Sequence, residues 1–176
     1  NIMDMASGKG QDLFRYASNG TENILFIDID STAISELIKR KHDFSKNKLG
    51  TSMQISVQKM DLTNDYKANI LQLNNASIAI PTNGYNLIVC NLAFHYLIET
   101  TRNIINLGRF VSNMLSIGGR FLITAFDGEA VFNLLKDKSE WKSKKPDKFH
   151  IKKQYKGSTF LPTGQKIQVL LPFSKD

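Results

Sequence analysis

The part of this sequence best suited to bind a ligand is a glycine turn that follows an acidic residue. The chain opens with Asn-Ile-Met-Asp-Met-Ala-Ser-Gly-Lys-Gly-Gln-Asp-Leu-Phe, so that Asp4 lies in a short apolar run just before Gly8-Lys9-Gly10. Glycine tolerates positive φ and lets the backbone approach a ligand without a Cβ in the way. A helix after the turn offers unpaired N–H groups to a polar or anionic ligand. The pattern predicts a strand, a ligand-binding glycine loop and a helix.

A second acidic residue lies where a nucleoside site needs one. Asp28 is near the end of the apolar run 24–29, eighteen residues beyond Gly10. A βαβ unit places there the carboxylate that accepts ribose hydroxyls; the alternative role is that of a helix N-cap. Leu13 stands at the third glycine position of a dinucleotide fingerprint, and the sequence has no P-loop motif. A nucleoside without a pyrophosphate, such as the S-adenosylmethionine of methyltransferases, therefore fits the loop.

The elements that must position these residues alternate between strand and helix. Apolar runs of strand length are separated by segments with helical spacing, which predicts a mostly parallel sheet with helices on both faces. Ser31 is predicted to cap a helix over 32–41, and Gly118-Gly119 to end one over about 101–115. The tail predicts an antiparallel hairpin of 149–155 and 166–171. The other predicted strands are 24–29, a short one around Ile55 and Val57, 85–90 and 120–125; the other predicted helices are 11–18, a weak one around 70–73, and 128–135.

Ligands of such sheets bind across the carboxyl ends of the parallel strands. The candidate site therefore consists of the residues that follow each predicted strand. Asp61 would accept a hydrogen bond from an adenine amino group, or it is a turn residue. Asp4 lies too early in its strand to touch ribose, so we expect it to order the loop or to meet the cofactor amine through water. The candidate segments are 6–10, 28–29, 61–62, 91–96 and 126–127.

Length and composition are those of a globular domain. With 176 residues, 41% of them hydrophobic, the chain is expected to form one domain over 1–176. The single cysteine, Cys90, excludes a disulfide within the chain and fits a reducing compartment. The sequence has no apolar run of membrane-spanning length and no signal peptide. Because it lacks an initiator methionine and begins inside a predicted strand, we expect a piece of a longer chain, incomplete at both ends.

The net charge of +7 is concentrated in one segment. Between Lys136 and Lys156 the chain has nine lysines and three acids. One interpretation is a solvated, mobile segment. The other is a phosphate-attracting surface for RNA, whose affinity would fall steeply with salt. Arg15 and the run Lys39-Arg40-Lys41 are smaller basic spots that could join it.

Three motifs resemble those of the messenger RNA cap guanine-N7 methyltransferases. Residues 89–99, Val-Cys-Asn-Leu-Ala-Phe-His-Tyr-Leu-Ile-Glu, are similar to the family's C-Q-F-x-x-H-Y-x-F-E, and residues 3–12 to its L-D-L-G-C-G-K-G-G-D. Residues 123–129, Ile-Thr-Ala-Phe-Asp-Gly-Glu, are similar to the I-T-T-x-D-G of viral capping enzymes. The resemblance covers nearly the whole chain. It implies a Rossmann-like class I S-adenosylmethionine-dependent methyltransferase of the viral multidomain capping-enzyme type.

The resemblance also implies a set of site residues, with some departures. His95 takes the place that touches the cap guanine, and Tyr96 lies close to both ligands. Leu92 replaces an aromatic residue, which weakens stacking on guanine, and the family's upstream Asn and Lys and later Glu have no counterpart. Ala6, Ser7 and Asn91 replace a glycine, a cysteine and a glutamine. Together with the strand-end argument, this gives Asp4, Ala6, Gly8, Lys9, Gly10, Asp28, Ile29, Asp61, Leu62, Asn91 and Tyr96 as cofactor-binding and Lys9, Arg15, Arg40, Leu92, His95 and Tyr96 as cap-binding residues.

The implied chemistry requires no proton-transfer residue and no metal. Guanine N7 has a free lone pair and carries no proton, so an in-line displacement at the methyl carbon depends on proximity, alignment and the surrounding field. His95 and Tyr96 are therefore expected to act by positioning. The alternative roles are those of a structural histidine and a core aromatic residue.

The sequence thus predicts transfer of a methyl group from S-adenosylmethionine to guanine N7 of the mRNA cap. One alternative is a class I methyltransferase for another RNA or a small molecule. Another is a non-catalytic cofactor- or RNA-binding module, which Leu92 and the missing ends favour. The implied partners are capped RNA and other domains of a parent capping enzyme, with a stimulatory subunit left open and no membrane. The expected location is cytoplasmic, at a viral replication site or in the virion.

Overall fold

The computed structural model describes residues 1–46, 53–144 and 149–170, in two compact units, Asn1–Ala125 and Phe126–Asp176. The strands of the first unit form one sheet in the order β3-β2-β1-β4-β5, and every neighbouring pair is parallel. The mostly parallel sheet predicted from the sequence is confirmed. The elements are β1 (Ile2–Met5), α1 (Leu13–Ser18), β2 (Asn23–Asp28), α2 (Ser31–Lys46), β3 (Gln54–Lys59), α3 (Tyr66–Asn75), β4 (Tyr85–Asn91), α4 (Phe94–Leu97), α5 (Thr101–Met114) and β5 (Leu115–Thr124).

Helices cover both faces of this sheet, as the alternation of side chains along a strand requires. In β2, Leu25 belongs to a buried cluster that includes Phe110 of α5. The next residue, Phe26, points the other way and belongs to a second cluster with Leu37 of α2. β5 lies at the edge of the sheet, where Leu122 is largely exposed. Among the described residues, no helix is both long enough and apolar enough to cross a membrane.

Two predictions about element ends are wrong, both for local reasons. Ser31 is the first residue of α2 rather than its cap; the Thr32 backbone N–H donates to the Asp30 carboxylate at 2.7 Å instead. Gly118-Gly119 lies inside β5 and does not end α5, because the chain passes from helix directly into strand at Leu115. The positive φ of Gly118, 75°, accommodates the irregular start of that strand. The short helix α4 has no counterpart in the prediction.

The second unit contains one helix, α6 (Gly128–Leu134), and an antiparallel sheet in its described residues. The sheet has the order β6 (Glu140–Lys142), β7 (His150–Lys153), β8 (Ile167–Leu170). The predicted hairpin is confirmed as the β7–β8 pair; its predicted last residue, 171, lies outside the described residues. β6 was missed because three residues are too few to show a period. Asp127 caps α6, accepting from the Ala130 N–H at 3.0 Å.

Asp4 is a buried carboxyl group within the first sheet. Its side chain is 4% exposed, and the Tyr16 phenol of α1 donates to its Oδ2 at 3.1 Å. Burial raises the pKa of Asp4 from 3.8 to about 7; the Tyr16 hydrogen bond lowers it, and the carboxylates of Asp12 and Asp28 add smaller upward effects. The contact joins α1 to β1, which is consistent with an ordering role for Asp4.

We expect Asp4→Asn to stabilise the protein at pH 8 and to change its stability little at pH 4. A carboxyl whose folded pKa lies above its unfolded value binds more protons when folded, so its contribution to stability falls as pH rises from about 3.8 to about 7. At about 1.4 kcal/mol per pKa unit, the ionised group costs the fold at most on the order of 4 kcal/mol above pH 7. Urea unfolding of variant and wild type across this pH range measures the difference.

Tyr16→Phe is the matched control, because it removes the donor that favours the ionised carboxylate. It should destabilise the protein more at pH 8 than at pH 4. A stability difference between Asp4→Asn and wild type that is the same at both pH values would contradict the role of Asp4 ionisation.

Candidate functional site at the strand ends

The two glycines of the loop between β1 and α1 have different surroundings. Gly8 has φ 55°, and no described atom lies within 4 Å of the position that a Cβ would occupy. The backbone is therefore open on that side, as close approach by a ligand requires. Gly10 has φ 65° and is buried, with its Cβ position 2.8 Å from Leu37 Cγ. Packing against α2, rather than a ligand, accounts for the glycine at that position.

Asp28 joins the loop to the end of β2. Its Oδ2 accepts from the Gly8 backbone N–H at 2.7 Å, and its Oδ1 accepts from the Asp30 N–H at 2.8 Å. The side chain is 8% exposed, so these two bonds satisfy a nearly buried carboxylate. An ionised carboxylate has about four acceptor positions, and among the described residues only two hydrogen bonds to the side chain of Asp28 occur. The alternative role of Asp28 as a helix N-cap is wrong, because Asp30 caps α2.

The neighbouring strand ends supply an apolar surface and a second carboxylate. Ile29 follows Asp28 and is 58% exposed. After β3, the Oδ1 of Asp61 accepts from both the backbone N–H and the hydroxyl of Thr63, at 2.9 and 2.7 Å. Asp61 is thus a turn residue as one interpretation had it, and its Oδ2 has no hydrogen bond to the described residues. The side chain of Leu62 is buried in the core, so only its backbone is in a position to meet a ligand.

A chain of polar contacts runs along the edge from α1 to β5. Asp12 accepts from Arg15 at 2.8 Å and from the Asn91 amide nitrogen at 3.4 Å. The Asn91 carbonyl oxygen accepts from the Thr124 hydroxyl at 3.0 Å. Asn91 therefore lies between the glycine-loop helix and the end of β5. Sequence reasoning missed Asp12 and Thr124, although Asp12 is the last residue of the glycine-loop motif.

The residues after β4 form an exposed aromatic pair. Leu92 is 54% exposed with φ 55°, a left-handed conformation that is strained for a side chain of this kind. His95 and Tyr96 lie in α4 with their ring centroids 4.1 Å apart, and Tyr96 is 72% exposed. Partial burial lowers the pKa of His95. The imidazole is therefore neutral at pH 7, when it can both donate and accept a hydrogen bond.

The predicted basic residues are not gathered at one point. Lys9 is exposed at the tip of the glycine loop. Arg15 is on α1 and forms an exposed ion pair with Asp12. Arg40 lies on α2, where its Nε is buried without a hydrogen bond to the described residues, and no described contact joins it to the strand ends. The structure thus brings Arg15, but not Arg40, into contact with the strand-end residues.

This donor and acceptor set fits S-adenosylmethionine, a nucleoside with a positively charged sulfonium and an ammonium group. The Asp28 carboxylate has acceptor positions left for two hydroxyls, Gly8 leaves an open side, and Ile29 presents an apolar surface. The carboxylates of Asp4, Asp12 and Asp28 lie close enough for each of the latter two to raise the pKa of Asp4. An excess of negative charge of this kind favours a cationic ligand.

Comparisons with known proteins identify the family of this chain. The model of the mRNA (guanine-N(7))-methyltransferase domain family matches residues 1–168. The mRNA-capping enzyme of African swine fever virus is 34% identical over 98% of this chain, and the mRNA cap guanine-N(7) methyltransferase of Drosophila melanogaster is 22% identical over 77% of it. The chain spans 21% and 31% of the length of these two relatives.

The fold is that of S-adenosylmethionine-dependent methyltransferases. The crystal structure of one from Clostridium acetobutylicum superimposes with a TM-score of 0.61 at 14% identity, over 96% of this chain and 63% of that one. At this identity the likeness shows the fold alone, which agrees with the class I architecture expected from the sequence. On the match over residues 1–168, the chain belongs to the mRNA (guanine-N(7))-methyltransferase domain family.

Proposed function

We propose that this chain transfers the methyl group of S-adenosylmethionine to N7 of the guanine cap of messenger RNA. The observation that carries the proposal is the strand-end site itself, in which Gly8 and Asp28 are hydrogen bonded and the His95–Tyr96 pair follows β4. Membership of the guanine-N7-methyltransferase family supports the identity of the acceptor atom.

The cofactor would be held by the carboxyl ends of β1, β2, β3 and β4. Asp28 would accept hydrogen bonds from the ribose hydroxyls, Ile29 would contact the adenine ring, and the Oδ2 of Asp61 would accept from the adenine amino group. Ala6, Gly8, Lys9 and Gly10 form the loop beside the ligand, the Leu62 backbone lies next to Asp61, and Asn91 and Tyr96 border the methionine end. Asp4 would act indirectly, by ordering the glycine loop between β1 and α1. The cofactor supplies an electrophilic methyl group on a sulfonium.

The protein's task is then to hold the guanine ring with N7 in line with the methyl carbon. N7 has no proton to remove, so no general base is needed, and alignment can be worth roughly 7–11 kcal/mol. A neutral His95 can hydrogen bond the guanine without adding positive charge next to the sulfonium. Tyr96 and Leu92 offer exposed contact surface beside it. Lys9 and Arg15 are proposed to support the cap phosphates, whereas no described contact joins Arg40 to this site.

The decisive experiment is methylation of capped RNA, followed by mapping of the modified atom. We expect the methyl group on guanine N7, with a cap dinucleotide competing for the reaction. Modification of another atom, or a cap analogue that does not compete, would favour a different acceptor. Cofactor binding without methyl transfer by the full-length protein would favour a non-catalytic module.

We further propose that residues 1–176 are one methyltransferase domain of a longer, viral multidomain capping enzyme. The support is the share of the relative's length that the chain spans, 21%. A cytoplasmic site of action, at viral replication or in the virion, rests on that viral relative alone. The partners would be capped RNA and the parent's other domains.

Asp28→Ala should weaken the binding of S-adenosylhomocysteine on the order of a hundredfold, because two hydrogen bonds to a charged acceptor are lost. Isothermal titration calorimetry measures this affinity. Asp30→Ala is the matched control: it removes the cap of α2, at a cost of about 1 kcal/mol in stability, but leaves the ribose acceptor in place. An unchanged affinity of Asp28→Ala would refute the ribose role.

His95→Ala should lower kcat/KM for cap methylation by about tenfold, because one hydrogen bond to the substrate is lost, and should leave the affinity for S-adenosylhomocysteine unchanged. His42→Ala, at an exposed position on α2, serves as the control and should change neither quantity. If His95→Ala weakens cofactor binding as much as it slows methylation, the histidine is structural.

A further inference from the structure

The three-stranded sheet of the second unit has two chemically different faces. The register places Trp141, Ile151 and Val169 side by side, and these residues are buried or half-buried. The adjacent positions point the opposite way, because side chains alternate along each strand. They form what we call the polar face: Glu140, Lys142, His150, Lys152, Gln168 and, on the edge strand β8, one apolar residue, Leu170.

The negative charge on the polar face is already neutralised by its neighbours. Glu140 accepts from Lys142 at 3.0 Å and from the His150 Nε2 at 2.9 Å. These two contacts hold the pKa of Glu140 below its usual value, so the carboxylate is ionised and engaged on both oxygens. Lys152 pairs with Glu140 in register but forms no ion pair with the described residues.

The surroundings of the polar face add further positive charge. Between 136 and 156, the described residues include seven lysines and two acids. Lys138 and Lys144 lie just beyond the two ends of β6, and Lys136 and Lys156 follow α6 and β7. All four are exposed, and none forms an ion pair within the described ranges. Five of the seven ammonium groups, including that of Lys152, are thus available to an external anion.

The chemistry of this face favours a polyanion over a protein partner. The cores of protein interfaces are enriched in aromatic residues, methionine and arginine and depleted in lysine. Here the aromatic Trp141 points to the other face, the polar face contains two lysines, and four more exposed lysines lie just beyond the ends of the neighbouring elements. A sheet also sets the spacing of its side chains, about 7 Å between alternate residues of a strand. A solvated lysine run without strands would hold no such spacing.

We propose that the polar face, together with the lysines around it, binds the phosphate backbone of the transcript behind its cap. The proposal rests on the proposed function, since it assumes that the substrate is RNA. The contacts are sequence-independent and release counterions, so log K should fall with log salt by about 0.7 for each phosphate neutralised on a single strand.

The test compares two charge-matched double variants of the full-length protein. Lys144→Gln with Lys152→Gln removes two exposed charges without an ion pair to the described residues, one on the polar face (Lys152) and one beside it (Lys144). Lys67→Gln with Arg102→Gln removes two exposed charges from α3 and α5 of the first unit. Fluorescence anisotropy with a capped and an uncapped oligonucleotide at several salt concentrations gives affinity and slope. Thermal unfolding confirms that both variants fold.

The polar-face variant should bind both oligonucleotides more weakly, with a salt slope shallower by about 1.4. Its KM for a capped oligonucleotide should rise, while its methylation of the cap dinucleotide GpppA stays at the wild-type level. The control variant should match wild type in every measurement. Affinity and slope equal to those of the control would overturn the proposal, as would a loss confined to the capped oligonucleotide.

The two proposals fail in distinguishable ways. If wild type methylates neither the oligonucleotide nor the dinucleotide, the proposed function fails, while a shallower slope in the polar-face variant still supports RNA binding by this face. If wild type methylates both and the slope is unchanged, the function stands and the polar face is not the RNA surface.

Discussion

The hydrogen bond from the Gly8 backbone N–H to the Asp28 carboxylate, 2.7 Å long, fixes the relative position of the two loops that form the candidate site. Asp28 is nearly buried, and a buried carboxylate must have hydrogen bonds. Its own backbone carbonyl accepts from the Met60 N–H at 2.9 Å, so the same residue also ties the end of β2 to the residue that follows β3. The glycine loop and the start of the Asp61 turn are thereby coupled through Asp28, the proposed ribose acceptor.

The density of carboxylates around this bond is the second constraint on the site. Asp4, Asp12 and Asp28 are close enough to interact, and Asp4 is held near neutrality by burial. Arg15 pairs with Asp12, but neither Asp4 nor Asp28 has an ion-pair partner among the described residues. A ligand that brings positive charge relieves the repulsion, which gives the site a physical preference for a sulfonium nucleoside over an anionic one such as a dinucleotide. The absence of a third glycine in the loop is consistent with the same preference.

The two units use their sheets in different ways. In the first, β1 and β2 are buried on both faces, and the chemistry is confined to the strand ends, where backbone groups and side chains leave the packed interior. In the second, one face of a small antiparallel sheet is mostly polar, and the proposed phosphate-binding lysines lie on and beside its strands. A methyl-transfer site requires fixed positions within a fraction of an ångström, whereas phosphate binding requires charge density.

The local features of this protein could be predicted from its sequence, and the contacts between distant segments could not. The strand–loop–helix start, the spacing from Gly10 to Asp28 and the β7–β8 hairpin follow from periodicity and turn residues, which act over a few positions. The contact of Asp12 with Asn91 joins residues 79 positions apart, and it exists because β1 and β4 are parallel neighbours in the sheet, so that the segment after β1 lies near the end of β4. At Gly10 a side chain is excluded by the close approach of Leu37, which belongs to a helix elsewhere in the sequence. The three residues around Trp141 form a strand because they pair with β7. These outcomes depend on which surfaces meet in the folded chain, and no local pattern encodes that.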